Sequence, residues 1–232
     1  GERPTSFDVV IVLDVSGSTA YPSGIDVDGD GMLGETQRSP ISSQPDTPNT
    51  DPDDSVLAAE VSASKALLEG LDPSRVHVGV VSFSGEVDPV TQRRLGRGDD
   101  ALLEQALTPD YAAVARSLEA TLLRGPNGGT NMQAGVKLAL RELAGLPGSI
   151  SRPRAQAKKV ILFLTDGKPS LPFGQANVED KEDMLAAIDA AQLCRVAGVM
   201  LNVYGLGPSA IDYPVAATEM AKAGGGSIVN IS

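Results

Sequence analysis

One cysteine, one histidine, no tryptophan and only 3% aromatic residues leave this 232-residue chain short of what many catalytic and cofactor sites use. With Cys194 alone no internal disulfide forms, and its helical setting, Ala190-Ala191-Gln192-Leu193-Cys194, suits a small buried residue. The sole histidine, His77, lies inside the strand pattern Val76-His77-Val78. No Gly-x-Ser-x-Gly elbow occurs, so serine hydrolysis lacks both base and nucleophile. The glycine-rich stretch Gly125–Gly129 has no phosphate-loop lysine, which leaves nucleotide hydrolysis without support. Asp14-Val15-Ser16 carries Ser16 where an aspartyl phosphatase needs a second Asp. Metal-assisted hydrolysis is the one enzymatic rival left, and the chain is expected not to be an enzyme.

Long apolar runs are missing too. No stretch approaches the roughly 20 residues of a membrane span, so direct membrane insertion is not expected. The polar start Gly1-Glu2-Arg3-Pro4 has no signal-peptide core, which leaves export open. Basic residues are outnumbered: the net charge is −11, and nucleic acid, which attracts basic surfaces, is excluded as a partner. The excess is local. Between Ala20 and Asp54, eight acids face Arg38 alone, a net −7 in this stretch, and the rest of the chain is ordinary for a soluble domain.

What is present is aliphatic. Hydrophobic residues make up 41% of the chain, and the core has to rest on Val, Leu, Ile and Ala. Near-continuous apolar runs at Phe7–Asp14, Val76–Ser84, Lys158–Thr165 and Val199–Gly205, with a shorter one at Ser227–Ile231, predict parallel strands covered on both faces. Helical patterns alternate with them at Ser55–Leu71, Ala112–Leu123, Met132–Leu143, Glu179–Val196 and Pro214–Ala223. Gln92–Leu107 reads as an edge strand or a hairpin. The expected fold is α/β, a doubly wound, mostly parallel sheet flanked by helices, in a single domain over residues 1–232. Within it, residues 20–54 form an acidic, proline-rich insert with no helical period, too long for an idle loop.

Doubly wound sheets bind ligands outside the carboxyl ends of their strands. Asp14-Val15-Ser16-Gly17-Ser18 closes the first apolar run, Gly128-Gly129-Thr130 brings a distant hydroxyl, and Leu164-Thr165-Asp166-Gly167 closes a later run. Each has a plain alternative, Thr130 as a helix N-cap for instance. Together, Asp14, Ser16, Ser18, Thr130 and Asp166 supply five hard oxygen donors suited to Mg²⁺, Mn²⁺ or Ca²⁺. Mg²⁺ takes about six oxygens, so at least one position stays open to a partner.

These residues resemble the metal-ion-dependent adhesion site of the von Willebrand factor A domain, with its Asp-x-Ser-x-Ser motif, distant Thr and later Asp. The resemblance implies an adhesion or protein-binding module that grips an Asp or Glu of a protein ligand through the ion. Ser16 and Ser18 then bind directly, while the Asp residues and Thr130 shift between direct and water-mediated contact. A rival within the same fold is a cytoplasmic assembly subunit docking on an ATPase or chelatase.

Asp26, Asp28 and Asp30 stand at i, i+2 and i+4 before Gly31, and the series resembles the calcium loops of EF-hand and dockerin type. It departs from them at the twelfth position, which is Gln37, while the nearest acid, Glu35, comes two residues early. The alternative is a solvated acidic loop. A weak Ca²⁺ site here favours an extracellular, cell-surface or periplasmic setting, with the isolated domain a monomer. Because the insert leaves directly after Ser18, it is expected either to rim the ligand surface or to place an acid in the open coordination position.

Overall fold

In the computed structural model, Phe7–Asp14 (β1), Val76–Phe83 (β2), Ala101–Thr108 (β3), Lys158–Thr165 (β4), Val199–Leu206 (β5) and Gly225–Ile231 (β6) form one sheet, ordered β3-β2-β1-β4-β5-β6. The structure describes residues 5–42, 44–176 and 178–231; the polar start Gly1–Pro4 lies outside them. All neighbouring strands run parallel except the β2–β3 pair at the edge. The stretch expected as an edge strand or a hairpin holds something of each. Val87 bridges Arg94 in antiparallel fashion, and the edge strand follows at Ala101–Thr108.

The helices are Val56–Glu69 (α1), Tyr111–Arg124 (α2), Met132–Ala144 (α3), Lys181–Val196 (α4), Pro208–Asp212 (α5) and Val215–Ala223 (α6). The short α5 has no periodic signal in the sequence; Pro208 opens it after Gly207. Side chains along β1 alternate between two cores, as strand geometry requires. Val9, Ile11 and Leu13 pack with Leu57 and Val61 of α1 and with Val114 and Leu118 of α2. Val10 and Val12 pack with Met132 and Val136 of α3, Ala187 and Ala191 of α4, and Met220 of α6. Phe83 and Phe163 stack there, with ring centroids 4.9 Å apart. Each fully buried aliphatic side chain contributes about 1.5–3 kcal/mol, which offsets the shortage of large aromatics.

Coverage of the sheet is uneven. Beside α1 an apolar groove of about 190 Å³ remains, lined by Leu67, Leu162, Leu164, Tyr204 and Ile231 among others. Cys194 is fully buried on α4, and desolvation pushes its thiol up to about 12, so it packs as a small apolar residue. No helix among the described residues is long and apolar enough to cross a membrane.

Strand order reverses at β1: β2 lies on one side of it and β4 on the other. A crevice opens outside the carboxyl ends at such a point. Asp14 ends β1, and Thr165 ends β4 directly before Asp166.

Candidate metal centre

The chain leaving β1 turns at once. Ser16 carries the extended backbone that precedes a 3-10 turn at Gly17–Ala20, which the Thr19 hydroxyl secures by donating to the Ser16 carbonyl at 2.8 Å. This turn brings the Ser16 and Ser18 hydroxyls to 3.2 Å from one another. Ser18 donates to Asp166 Oδ1 at 3.0 Å. Asp14 accepts from the Ser16 amide at 3.0 Å through Oδ1 and from the Thr165 hydroxyl at 2.7 Å through Oδ2. Two carboxylates and two serines thus form one hydrogen-bonded series, whose link from Ser18 to Asp166 spans 148 residues of chain.

Thr130 arrives on the segment before α3. Gly17 donates to the Gly128 carbonyl, Asn127 to Val15 and Gly129 to Gly85, zipping the segment between the ends of β1 and β2. Gly128 is required at this crossing. Its φ is +83°, and a Cβ there would lie 2.2 Å from the Gly85 carbonyl oxygen. The cap of α3 falls to Asn131, whose side chain accepts from the Ala134 amide at 3.2 Å; Thr130 is not the N-cap that the plain alternative made it. The Asn131 amide group in turn donates to Asp100 Oδ2 at 2.7 Å, and Arg94 pairs with the same carboxylate. The Thr130 amide donates to the Ser170 hydroxyl at 3.1 Å, and its carbonyl accepts from the Ser170 and Leu171 amides. Thr130, Ser18 and Asp166 then line one cleft of about 70 Å³ with Gly167, Lys168, Ser170, Ser209 and Tyr213. Asp14 and Ser16 are buried beside it.

The electrostatics are unbalanced. Burial pushes the Asp14 carboxyl up, and the bonds from Ser16 and Thr165 only partly oppose this. Asp166 is pushed up to about 7, first by burial and then by the Asp14 charge, against the Ser18 bond and Lys168. The Lys168 ammonium lies 4.2 Å from the centre of the Tyr213 ring. A third carboxyl, Glu60 of α1, is fully buried, accepts from the Asp14 amide at 3.0 Å and is held well above the ordinary value by burial and by the Asp14 and Asp166 charges. Hard oxygens converge here with excess negative charge in a low-dielectric setting, and a divalent cation fits that deficit in both charge and ligand type.

Glu60 escaped the sequence reading although its signal was present. Leu57, Val61, Ser64 and Leu68 mark the buried face of α1, and Glu60 falls on that face, three residues after Leu57 and four before Ser64. Asp100 and Ser170 carried no signal, because what brings them to the Thr130 segment is tertiary contact.

The acidic loop is built differently. It leaves and returns at one root: Ser23 donates to the Asp54 carbonyl and Val56 to the Tyr21 carbonyl. Farther out Gln37 and Thr47 exchange two backbone bonds. Asp26 accepts from the Gly29 and Gly31 amides, Asp28 from Asp30 and Asp30 from Met32, all on exposed side chains. Carboxylate oxygens of Asp26, Asp28 and Asp30 lie within 4.8 Å of one another, and so do those of Asp28, Asp51 and Asp53. Glu35 belongs to neither group; its backbone pairs with Thr50. Slight desolvation and the charges of Asp54, Asp30 and Asp28 push the Asp51 carboxyl up. The cleft at Asp166 is lined by no residue of the loop among those described, and the loop's acids gather with one another.

A family model described as the von Willebrand factor type A domain matches residues 9–168. Among solved structures, a serine-substituted aerotolerance-related membrane protein from Bacteroides fragilis is 17% identical, with a TM-score of 0.60 over 98% of this chain and 92% of that one. The PilB minor pilin from Streptococcus sanguinis is 16% identical with a TM-score of 0.62; the match covers all of this chain and 58% of the pilin. The pilus adhesin SpaC from Lactobacillus rhamnosus GG is 14% identical with a TM-score of 0.61, over 99% of this chain and 29% of the adhesin. Identities this low bear on the fold alone. No curated protein matches the chain.

Proposed function

This chain belongs to the von Willebrand factor type A domain family, a family of protein-interaction modules, and from that premise we propose that it grips an Asp or Glu of a protein partner through a divalent cation. Asp14, Ser16, Ser18, Thr130 and Asp166 hold the ion, which is Mg²⁺, Mn²⁺ or Ca²⁺. The observation that carries this reading is the Asp14–Ser16–Ser18–Asp166 series, which meets Thr130 at an open cleft where Lys168 alone offsets the negative charge of its carboxylates. Neutral hydroxyls leave the ion most of its charge, so it still attracts an incoming carboxylate strongly. Asp14 and Asp166 balance part of that charge, and the cleft admits a small acidic group rather than a whole surface.

The loop has a separate role in this reading. Asp26, Asp28 and Asp30 bind Ca²⁺, with Asp51 and Asp53 converging on Asp28 from the other end of the loop. Bound Ca²⁺ braces the loop at the rim of the ligand surface. Two carriers of the same fold are by name a minor pilin and a pilus adhesin, and a surface or exported setting is the corresponding proposal for this chain.

An array of peptides bearing single Asp or Glu residues, probed beside their Asn and Gln counterparts, tests the grip. Binding to the acidic members is expected in Mg²⁺, is lost in EDTA and returns when Mg²⁺ is restored. Equal binding in EDTA, or equal binding to the amide counterparts, removes the mechanism.

A further inference from the structure

The five-residue motif leaves one buried group unexplained. Glu60 is fully enclosed on α1, one of its oxygens accepts from the Asp14 amide at 3.0 Å, and the other, Oε1, has no hydrogen-bond partner among the described residues. A buried carboxylate oxygen without a partner costs about 1–3 kcal/mol or more, so an apolar side chain at this core position would serve folding better. Its neighbours on the same helix face, Leu57 and Val61, are apolar and fully buried.

We propose that Glu60 is a positioning residue of the cation site. Its Oε2 fixes the backbone of Asp14, and its Oε1 accepts a hydrogen bond from a water bound to the ion. The proposal rests on the cation reading above and adds to it a carboxylate that lies outside the sequence motif. Three features support it. The carboxylate sits directly against the residue that opens the motif. It is close enough to Asp14 and Asp166 to feel the charge of both. Its orphaned oxygen is an acceptor, which is what a coordinated water, a strong donor, requires. The same helix closes the acidic loop, since Ser55 caps α1 and pairs with Pro22, so Glu60 also ties the cation site to the loop's root.

Mg²⁺ titration by calorimetry of the wild-type chain, Asp14→Ala and Glu60→Gln tests this, with unfolding midpoints measured in EDTA alongside. The Gln carbonyl still accepts from the Asp14 amide, while its NH₂ group replaces the acceptor. Glu60→Gln is therefore expected to weaken Mg²⁺ binding by about 10–100-fold while its midpoint in EDTA stays at or above that of the wild type. Wild-type Mg²⁺ affinity in Glu60→Gln overturns the proposal and spares the cation site. A wild-type chain that binds no Mg²⁺ at all overturns both. If Glu60→Gln does not fold, wild-type crystals grown with Mn²⁺ decide: an ion-bound water within hydrogen-bond reach of Oε1 supports the role, and none there refutes it.

Discussion

The two ends of β1 carry the same residue type in opposite circumstances. Asp8 and Asp14 are both fully buried, six residues apart on one strand. At the amino end burial alone would raise the Asp8 carboxyl, but Lys159, at 2.5 Å, and Arg154, at 2.8 Å, overcome it and hold the group below its ordinary value. At the carboxyl end, hydroxyls and one amide are all that Asp14 receives, and burial wins. The neighbouring strand β4 repeats the contrast, contributing Lys159 near one end and Thr165 with Asp166 at the other. At Asp8, where the carboxylate serves structure, the protein supplies its own cations. At the crevice it supplies Lys168 alone, which does not outweigh burial and the Asp14 charge at Asp166, and there a metal ion would complete the balance.

The sharpest way to break this comparison is to neutralise each end in turn. Asp14→Asn is expected to lower Mg²⁺ affinity by at least about 100-fold, read by calorimetry, while stability in EDTA does not fall, because an uncompensated buried charge has gone. A large loss of stability in EDTA would show that Asp14 is structural, as Asp8 is.

Asp8→Asn is expected to do the reverse. It leaves two cations facing a neutral amide and costs about 3 kcal/mol in denaturant unfolding, with Mg²⁺ affinity unchanged. The pH dependence follows from the depressed folded value. The contribution of Asp8 is complete above the unfolded value of 3.8 and is lost as pH falls through the lower folded value. Acid unfolding of Asp8→Asn should therefore lack this component, and an acid limb identical to that of the wild type would dissolve the contrast.

Two glycines sharpen the comparison between the crevice and the exposed loop. Gly128 and Gly29 share nearly the same φ, +83° and +79°, yet a Cβ at Gly128 strikes the Gly85 carbonyl while one at Gly29 meets open space. Gly128→Ala should cost about 1–3 kcal/mol and weaken Mg²⁺ binding, because the Thr130 segment has to shift. Gly29→Ala should cost about 1 kcal/mol and leave the Mg²⁺ response intact.

The smallest expected effect belongs to the loop itself. At ten times a Kd near 10⁻³ M, Ca²⁺ stabilises by about 1.4 kcal/mol, and Asp28→Ala, which removes the residue common to both acidic groups, should abolish that response. Thermal unfolding with and without Ca²⁺ measures it, and a response that survives Asp28→Ala would leave a plain solvated loop.

Much of the scaffold could be read in advance because its signals are local or periodic. Strand-length apolar runs and the 3-4 spacing of α1 and α3 follow from backbone geometry, and Asp14 and Asp166 stand out because each follows directly on such a run. The loop's Asp26-x-Asp28-x-Asp30 spacing is likewise local, and the carboxylates it brings together are those it named. Glu35 shows the limit. Position along the chain made it a candidate, but its backbone pairs with Thr50, and the acids that approach Asp28 come from Asp51 and Asp53 across the loop.

The chain order of donors and apolar runs, by itself, determined the α/β class, the end of the sheet where the oxygen donors gather and the family resemblance. Only the tertiary structure decided which groups share a dielectric environment. It set Glu60 behind Asp14, clamped the Thr130 segment through Asp100 and Asn131, and gave cations to Asp8 while withholding them from Asp14. Charge compensation depends on distances across the fold, and those distances have no period in the sequence.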